Sequence, residues 1–355
     1  MHQFRKDAPL VISQSFGVDL KELGWSGSID TCSFTGFDRF RLVDCEQLCK
    51  NNILFIHEMN GIPDGTDYVT ISYPWIGVHR KAPTGPQILV WPYGCAISTD
   101  ILLSLCSWVL KENVKYIWID LLCNHLDKDA DVPFQTECLA RIYKSSTFCV
   151  VLPGGLQHWH SSISTLEESP WMSRLWSLME VLAAPKTHVL FQNINDDGGT
   201  GQIELESSLI EDWLCDYQDL TTQRSRLLLL DALSWRDLSS QEKMSDEMLY
   251  FRNRTVWKCA FVRNATRPED LLPGMLCVLS DTRNYKLQFD KKVSDPQCND
   301  VDVLAFRDAV SSTGPDMSRK WKSFINRMKL PTMTIPEVVS RSWRALPVRG
   351  YSMSV

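Results

Sequence analysis

The sequence predicts an α/β protein: a parallel sheet with helices on both faces, followed by a mainly helical C-terminal region. Three observations predict it. Short apolar runs recur at 68–73, 114–120, 148–152 and 187–191. Segments with helical apolar spacing lie between them. Alternation of this kind, over about 125 residues, is what a parallel sheet with crossover helices requires.

Each element has its own signal. Tyr68-Val69-Thr70-Ile71-Ser72-Tyr73 is rich in β-branched and aromatic residues and stops at Pro74, as a strand does. Residues 74–98 read as a Gly/Pro-rich loop. Ser98-Thr99-Asp100 offers an N-cap for a helix running to about Asn113, with Ile101, Leu102, Leu105, Trp108 and Val109 at helical spacing. The nearly continuous apolar run 114–120 suits a strand covered on both faces. Residues 135–145 read as a helix, 148–152 as a buried strand ended by Pro153-Gly154-Gly155, 171–184 as a helix stopped by Pro185, and 187–191 as a last short strand. Residues 1–66 read as irregular, with an edge strand available at 53–56. Asn193 to Gly201 is the clearest linker; beyond it, 203–218, 222–233, 241–263 and 270–279 carry helical patterns. The expected organisation is an N-terminal extension (1–40), an α/β domain (41–193) and a helical region (202–355) packed on it.

Composition narrows the function classes. The chain has 355 residues, 44% of them apolar, and a formal net charge of −6, which fits a globular protein and not a disordered one. No apolar run reaches the length of roughly 18–20 residues that a membrane helix needs, and no signal peptide is evident, so no membrane span and a cytoplasmic location are expected. The 12 cysteines form no CxxC pair and read as reduced core thiols. The segment from residue 318 onward carries +7; its aromatics are not interleaved in the pattern of a nucleic-acid reader, so it reads as a solvated surface, and no nucleic-acid partner is expected. Of the 13 tryptophans, seven fall between Trp75 and Trp176. The middle of the chain is therefore chemically distinct from its flanks.

Ligands of open α/β sheets bind beyond the C-terminal strand ends. The residues there are Ser72-Tyr73-Pro74-Trp75-Ile76-Gly77, Asp120-Leu121-Leu122-Cys123-Asn124-His125, Pro153-Gly154-Gly155, and the helix start around Ser173, Arg174 and Trp176 with Glu180. Aromatic faces can stack a base, amides near glycines can meet phosphate, and a carboxylate can serve ribose or catalysis. The dinucleotide fingerprint GxGxxG, the phosphate loop GxxxxGK[ST], HExxH and GxSxG are absent. His158 and His160 with Glu167 and Glu168 lack metal-ligand spacing and read as a surface loop, so no metal is expected. Cys123 beside His125 reads as a loop thiol and not as a nucleophile pair. Trp118, mid-strand, belongs to the core.

The middle segment resembles the fungal HET (heterokaryon incompatibility) domain. YVTISYPWIG at 68–77 is similar to the family's Y-x-x-(L/I)-S-Y-x-W-G opening. YIWIDLLCN at 116–124 is similar to (L/I)-W-(I/V)-D-x-x-C-I-N-Q, with Gln135 and Arg141-Ile142-Tyr143 following as in the family. WMSRLWSLME at 171–180 is similar to W-x-x-R-x-W-(T)-x-Q-E, and 264–270 to a later R-x-T-x-x-E-D. The chain departs from the pattern at Ile76, at His125, at Val132-Pro133-Phe134 and at Met179.

The resemblance implies a TIR/flavodoxin-like fold and a protein of fungal non-self recognition and programmed cell death. It implies a TIR-like nucleotide pocket with NAD as substrate and no required cofactor. Cleavage would fall at the nicotinamide–ribose bond, with Glu180 catalytic. Ser72, Tyr73, Trp75, Gly77, Asp120, Cys123, Asn124, Ser173, Arg174 and Trp176 would line the binding site. Ser173, Trp176 and Glu180 resemble the Ser…Trp…Glu arrangement of TIR domains that cleave NAD, to which HET domains are distantly similar. Two other readings stand beside this one. The chain is a non-enzymatic module that self-associates or binds other signalling proteins, with Glu180 a structural ion-pair partner, or it is a HET-like scaffold turned to a different small-molecule substrate.

Overall fold

A computed structural model describes residues 12–23, 26–31, 39–62, 65–75, 86–91, 95–124, 139–159, 169–193, 204–210 and a few positions between 229 and 259. By internal contacts the chain divides into residues 1–226 and 227–355. In the second unit Leu229, Ala232, Leu233, Val256 and Cys259 are helical and buried; the rest of the expected C-terminal helices lie outside the described residues.

The first unit runs β1 (Ile12–Asp19), α1 (Leu20–Leu23), β2 (Ser26–Asp30), β3 (Phe40–Asp44), α2 (Cys45–Asn51), β4 (Ile53–Met59), β5 (Tyr68–Ser72), β6 (Gln87–Trp91), β7 (Cys95–Ser98), α3 (Thr99–Lys111), β8 (Tyr116–Trp118) and α4 (Asp120–Cys123). It continues with α5 (139–145 among the described residues), β9 (Phe148–Val151), α6 (Pro170–Ser173), α7 (Leu175–Ala183), β10 (Thr187–Asn193) and β11 (Glu204–Leu209).

The main sheet has eight strands in the order β1-β4-β3-β8-β5-β9-β10-β11. Its centre, β8-β5-β9-β10, is parallel, and these are the four strands that the apolar runs predict. Numbered along the chain they lie in the order 2-1-3-4, the flavodoxin-like order. The connection from β5 to β8 through α3 travels one way across the sheet, and the connections through α5 and α7 travel the other. Right-handed crossovers then put α3 on one face and α5 and α7 on the opposite one.

The sheet as a whole is mixed: antiparallel strands flank the parallel centre that the sequence predicts. β1, β4 and β3 add antiparallel strands on one side and β11 adds one on the other. The described part of residues 1–66 therefore holds regular strands, and the strand at 53–59 lies inside the sheet instead of at its edge. Two features hide these strands in the sequence. Arg41 and Glu58 occupy buried positions but face each other across β3 and β4, with Arg41 Nε donating to Glu58 Oε2 at 3.0 Å. Gly17 in β1 leaves room for the Phe55 ring, because a Cβ there would lie 2.9 Å from Phe55 Cδ2. Two more corrections concern local pattern. Residues 74–98, expected to be loop, contain β6 and β7; β6 pairs with β2 on one side and β7 on the other in a second, three-stranded sheet. Residues 204–209, expected to open a helix, form β11 antiparallel to β10.

Local chemistry sets the helix ends. Asp44 caps α2, its Oδ1 accepting from the amides of Glu46 and Gln47 at 2.9 and 3.0 Å. Ser98 caps α3 through Ile101 N at 3.4 Å, as its position in the sequence predicts. The helix expected over 171–184 is broken at Arg174, whose backbone is extended. The Ser177 hydroxyl turns back to the carbonyls of Trp171 and Arg174, at 2.6 and 2.7 Å. Such side-chain bonds compete with helical backbone pairing.

Strand alternation decides what each face of β5 meets. Tyr68, Thr70 and Ser72 point toward α5 and α7: Tyr68 donates to Ile142 O (2.7 Å), Thr70 to Ser146 (3.3 Å) and Ser72 to Glu180. Trp118 of β8 shares that face, edge-on to Tyr143 at 5.7 Å, and is buried as the sequence predicts. Trp118→Ala should lower unfolding stability by about 3–5 kcal/mol, read from the midpoint of urea denaturation at unchanged m-value.

Candidate functional site

The crossovers from β5 and β8 leave in opposite directions, so the sheet's topological switch point lies between the C-terminal ends of β5 and β9. A small cleft, partly open to solvent, occupies that position. Tyr73, Pro74, Trp75, Cys95, Leu121, Gly154, Gly155 and Gln157 are among its walls. Gly155 takes φ +83°, a conformation that an L side chain resists, and lets the chain turn tightly after β9.

Two carboxyl groups converge beside this cleft, each held by its own donors. Asp120, at the start of α4, accepts from the Tyr73 hydroxyl, from Trp75 Nε1 (2.8 Å) and from Leu121 N (2.7 Å). Glu180, on α7, accepts from the Ser72 hydroxyl, which in turn accepts from Trp171 Nε1 at 2.8 Å. Arg174 donates to Tyr73 O at 2.8 Å. Its extended backbone, the break between α6 and α7, lets the guanidinium reach the end of β5 from a segment about a hundred residues later.

Burial sets the electrostatics. It pushes the Glu180 carboxyl up to about 7; the Arg174 charge and the Ser72 hydrogen bond pull down, and the Asp120 charge adds to the rise. Burial also raises Asp120, against the pull of Tyr73, Trp75 and Arg174. The Tyr73 hydroxyl is driven well above its ordinary range, by burial and then by the neighbouring Asp120 charge, so it remains a donor. At neutral pH this site therefore carries a carboxyl that gives up or takes a proton readily.

The expected site residues separate in space. Ser72, Tyr73, Trp75, Asp120, Arg174 and Glu180 come together at the end of β5. Trp75 is 36% exposed and gives the cleft an accessible indole face. Ser173 is exposed and donates to Pro170 O at 2.9 Å. Trp176 is half-buried one turn before Glu180. The serine that donates to Glu180 is Ser72, and the tryptophan that donates to that serine is Trp171. Cys123 is buried, its thiol pushed up to about 12 by burial, and its carbonyl accepts from Arg41 at 3.3 Å; it is not a thiolate nucleophile. Asn124 is half-buried after α4. Gly77 lies outside the described residues, as do Ile76 and His125.

The sequence does not mark Trp171, Cys95 or Gln157 as site residues. Trp171 carried a signal in its family block. The others did not, since only the second sheet and the turn after β9 bring them to the cleft. Among the described residues no group of His, Cys, Asp and Glu has the arrangement of a metal site, and no helix is long and apolar enough to cross a membrane.

Residues 68–159 match the family model described as Heterokaryon incompatibility protein (HET). That interval spans β5 through the turn after β9, and so includes Tyr73, Asp120 and the cleft walls but not Glu180. Comparisons with curated proteins and with solved structures found no match.

The Glu180 shift has a definite thermodynamic sign. The folded state holds this proton more tightly than the unfolded chain, where the group titrates near 4.5. Its contribution is therefore full below about 4.5 and is lost as pH rises through about 7. Relative to Glu180→Gln, the native protein should lose on the order of 3 kcal/mol of stability over that interval, measured by denaturant unfolding of both proteins across the pH range.

Proposed function

We propose that this chain is a protein of fungal non-self recognition whose switch-point cleft binds a nucleotide and hydrolyses NAD at the nicotinamide–ribose bond. The HET match suggests the heterokaryon-incompatibility role. The chemical part rests on one observation: two buried carboxyl groups, Asp120 and Glu180, meet at the end of β5 beside an aromatic-walled cleft.

In this reaction water replaces nicotinamide on the ribose carbon, giving nicotinamide, ADP-ribose and a proton. The transition state has oxocarbenium character, so positive charge develops on the ribose. An ionised Glu180 stabilises that charge in a site of low dielectric. Its value of about 7 also lets it accept the proton that the attacking water loses. Asp120, oriented by Tyr73 and Trp75, offers an acceptor for a ribose hydroxyl, and the exposed face of Trp75 offers a stacking surface.

One observation favours the non-enzymatic reading. Glu180 is only 7% exposed and is covered by Ser72, which Trp171 holds. On that reading the network only fastens α7 to β5, and the chain acts by self-association. Nicotinamide release from NAD by the purified full-length chain separates the two. The enzymatic reading expects release that rises with pH through about 7 and falls at least about a hundredfold in Glu180→Gln. Release that is absent, or equal in both proteins, favours the module.

A further inference from the structure

A second group of chemistry-bearing side chains lies outside the cleft, on the antiparallel half of the main sheet. Ser15 of β1 and His57 of β4 are paired directly across the two strands, so their side chains leave the same face. Ser15 Oγ lies 2.9 Å from His57 Nδ1, and His57 Nε2 lies 3.2 Å from Asp44 Oδ2 at the end of β3. Burial grades outward along this chain of contacts. Asp44 and His57 are buried, while Ser15 is exposed on the strand that ends the sheet.

Asp44 sets the proton positions. Burial pushes its carboxyl up, but the His57 hydrogen bond, the Gln47 amide and the Lys115 charge outweigh that and hold it below the ordinary carboxylate range. An ionised carboxylate can only accept, so in the neutral imidazole the hydrogen sits on Nε2. Nδ1 is then the acceptor, and the Ser15 hydroxyl donates to it. Asp44 is itself held, because its Oδ1 accepts from the amides of Glu46 and Gln47 and Lys115 Nζ lies 3.6 Å from its Oδ2. The Phe55 and Tyr116 rings stand edge-on to the imidazole at 5.1 and 5.7 Å. The imidazole is thus fixed with its basic nitrogen facing an exposed hydroxyl.

We propose that Ser15, His57 and Asp44 form a second reactive centre, with Ser15 the nucleophile of an acyl transfer, His57 its general base and Asp44 the residue that positions the base. A hydroxyl beside a base that a third group orients is the arrangement that activates serine. Ser15 Oγ bonds to the carbonyl carbon of an ester, its proton passes to His57 Nδ1, and the alcohol leaves with that proton. Water then attacks the acyl-serine by the same route and gives the acid and free Ser15. On an open strand the substrates that suit this centre are small esters with a good leaving group. The centre shares no residue with the switch-point cleft, so it stands or falls apart from the nucleotide-cleaving reading.

A fluorophosphonate probe and p-nitrophenyl acetate test it on the full-length chain. Attack on the probe forms a Ser15–phosphorus bond and expels fluoride, with the hydroxyl proton going to His57. The expected adduct maps to Ser15 by peptide mass spectrometry and forms on native protein but not on urea-unfolded protein. Ser15→Ala changes an exposed position and should lower p-nitrophenol release about a hundredfold, and His57→Gln should lower it by a similar factor. Asp44→Asn keeps an oxygen for the α2 cap but removes the carboxylate that fixes the tautomer. It should lower kcat with KM held, a split that loosening of α2 alone would not give. The proposal is overturned if no adduct forms at Ser15, or if unfolded protein labels as fast as native. It is also overturned if Ser15→Ala or His57→Gln turns over the ester like wild type, or if Asp44→Asn leaves kcat unchanged.

Discussion

The hydrogen bond from Ser72 to Glu180 is the contact on which the rest of the site depends. A carboxyl taken out of water must be given donors or keep its proton. Glu180 is given one hydroxyl, itself oriented by an indole N–H, and this supply is too small to hold it fully ionised at neutral pH. The same bond ties α7 to the end of β5. Because α7 is fixed there, Arg174 at its N-terminal boundary reaches Tyr73 O, and the Tyr73 hydroxyl is free to serve Asp120. One buried carboxyl thus sets the positions of a cation, a phenol and a second carboxyl.

The antiparallel half of the sheet supports this arrangement from the other side. Arg41 of β3 is buried with Glu58 of β4 at 2.9 Å and also donates to the carbonyl of Cys123, the last residue of α4. The turn that begins with Asp120 is therefore pinned at both ends: by Tyr73 and Trp75 at its start and by Arg41 at its finish. A buried ion pair is weak support for stability in itself, but removing either partner would leave a lone charge in the core. Next to it, Asp44 caps α2 and also accepts from His57, whose other ring nitrogen lies 2.9 Å from Ser15 Oγ, so β1, β3 and β4 share one polar seam.

How legible each part was in the sequence follows from the range of the interaction behind it. The four central strands announce themselves because burial on both faces demands continuous apolar runs, and Tyr68–Ser72 and Phe148–Val151 obey that demand locally. The Ser98 cap is a three-residue event and is equally readable. β3 and β4 are not, because Arg41 and Glu58 look like surface residues until their pairing is known. β6, β7 and β11 sit among Gly- and Pro-rich or polar stretches, and pairing makes them extended: β6 with β2 and β7, and β11 with β10.

The sequence by itself determined the parallel core, the HET-like blocks and most of the residues that gather at the end of β5, since these depend on apolar periodicity and on residue identity within one block. Only the tertiary structure decided which serine donates to Glu180 and which tryptophan orients that serine. Ser173 and Trp176 are its neighbours along the chain, but the pleat of β5 turns Ser72 toward α7, and the break at Arg174 sets Trp171 above Ser72. Hydrogen-bond partners across about a hundred residues are fixed by where crossovers return the chain, and neither composition nor spacing records that geometry.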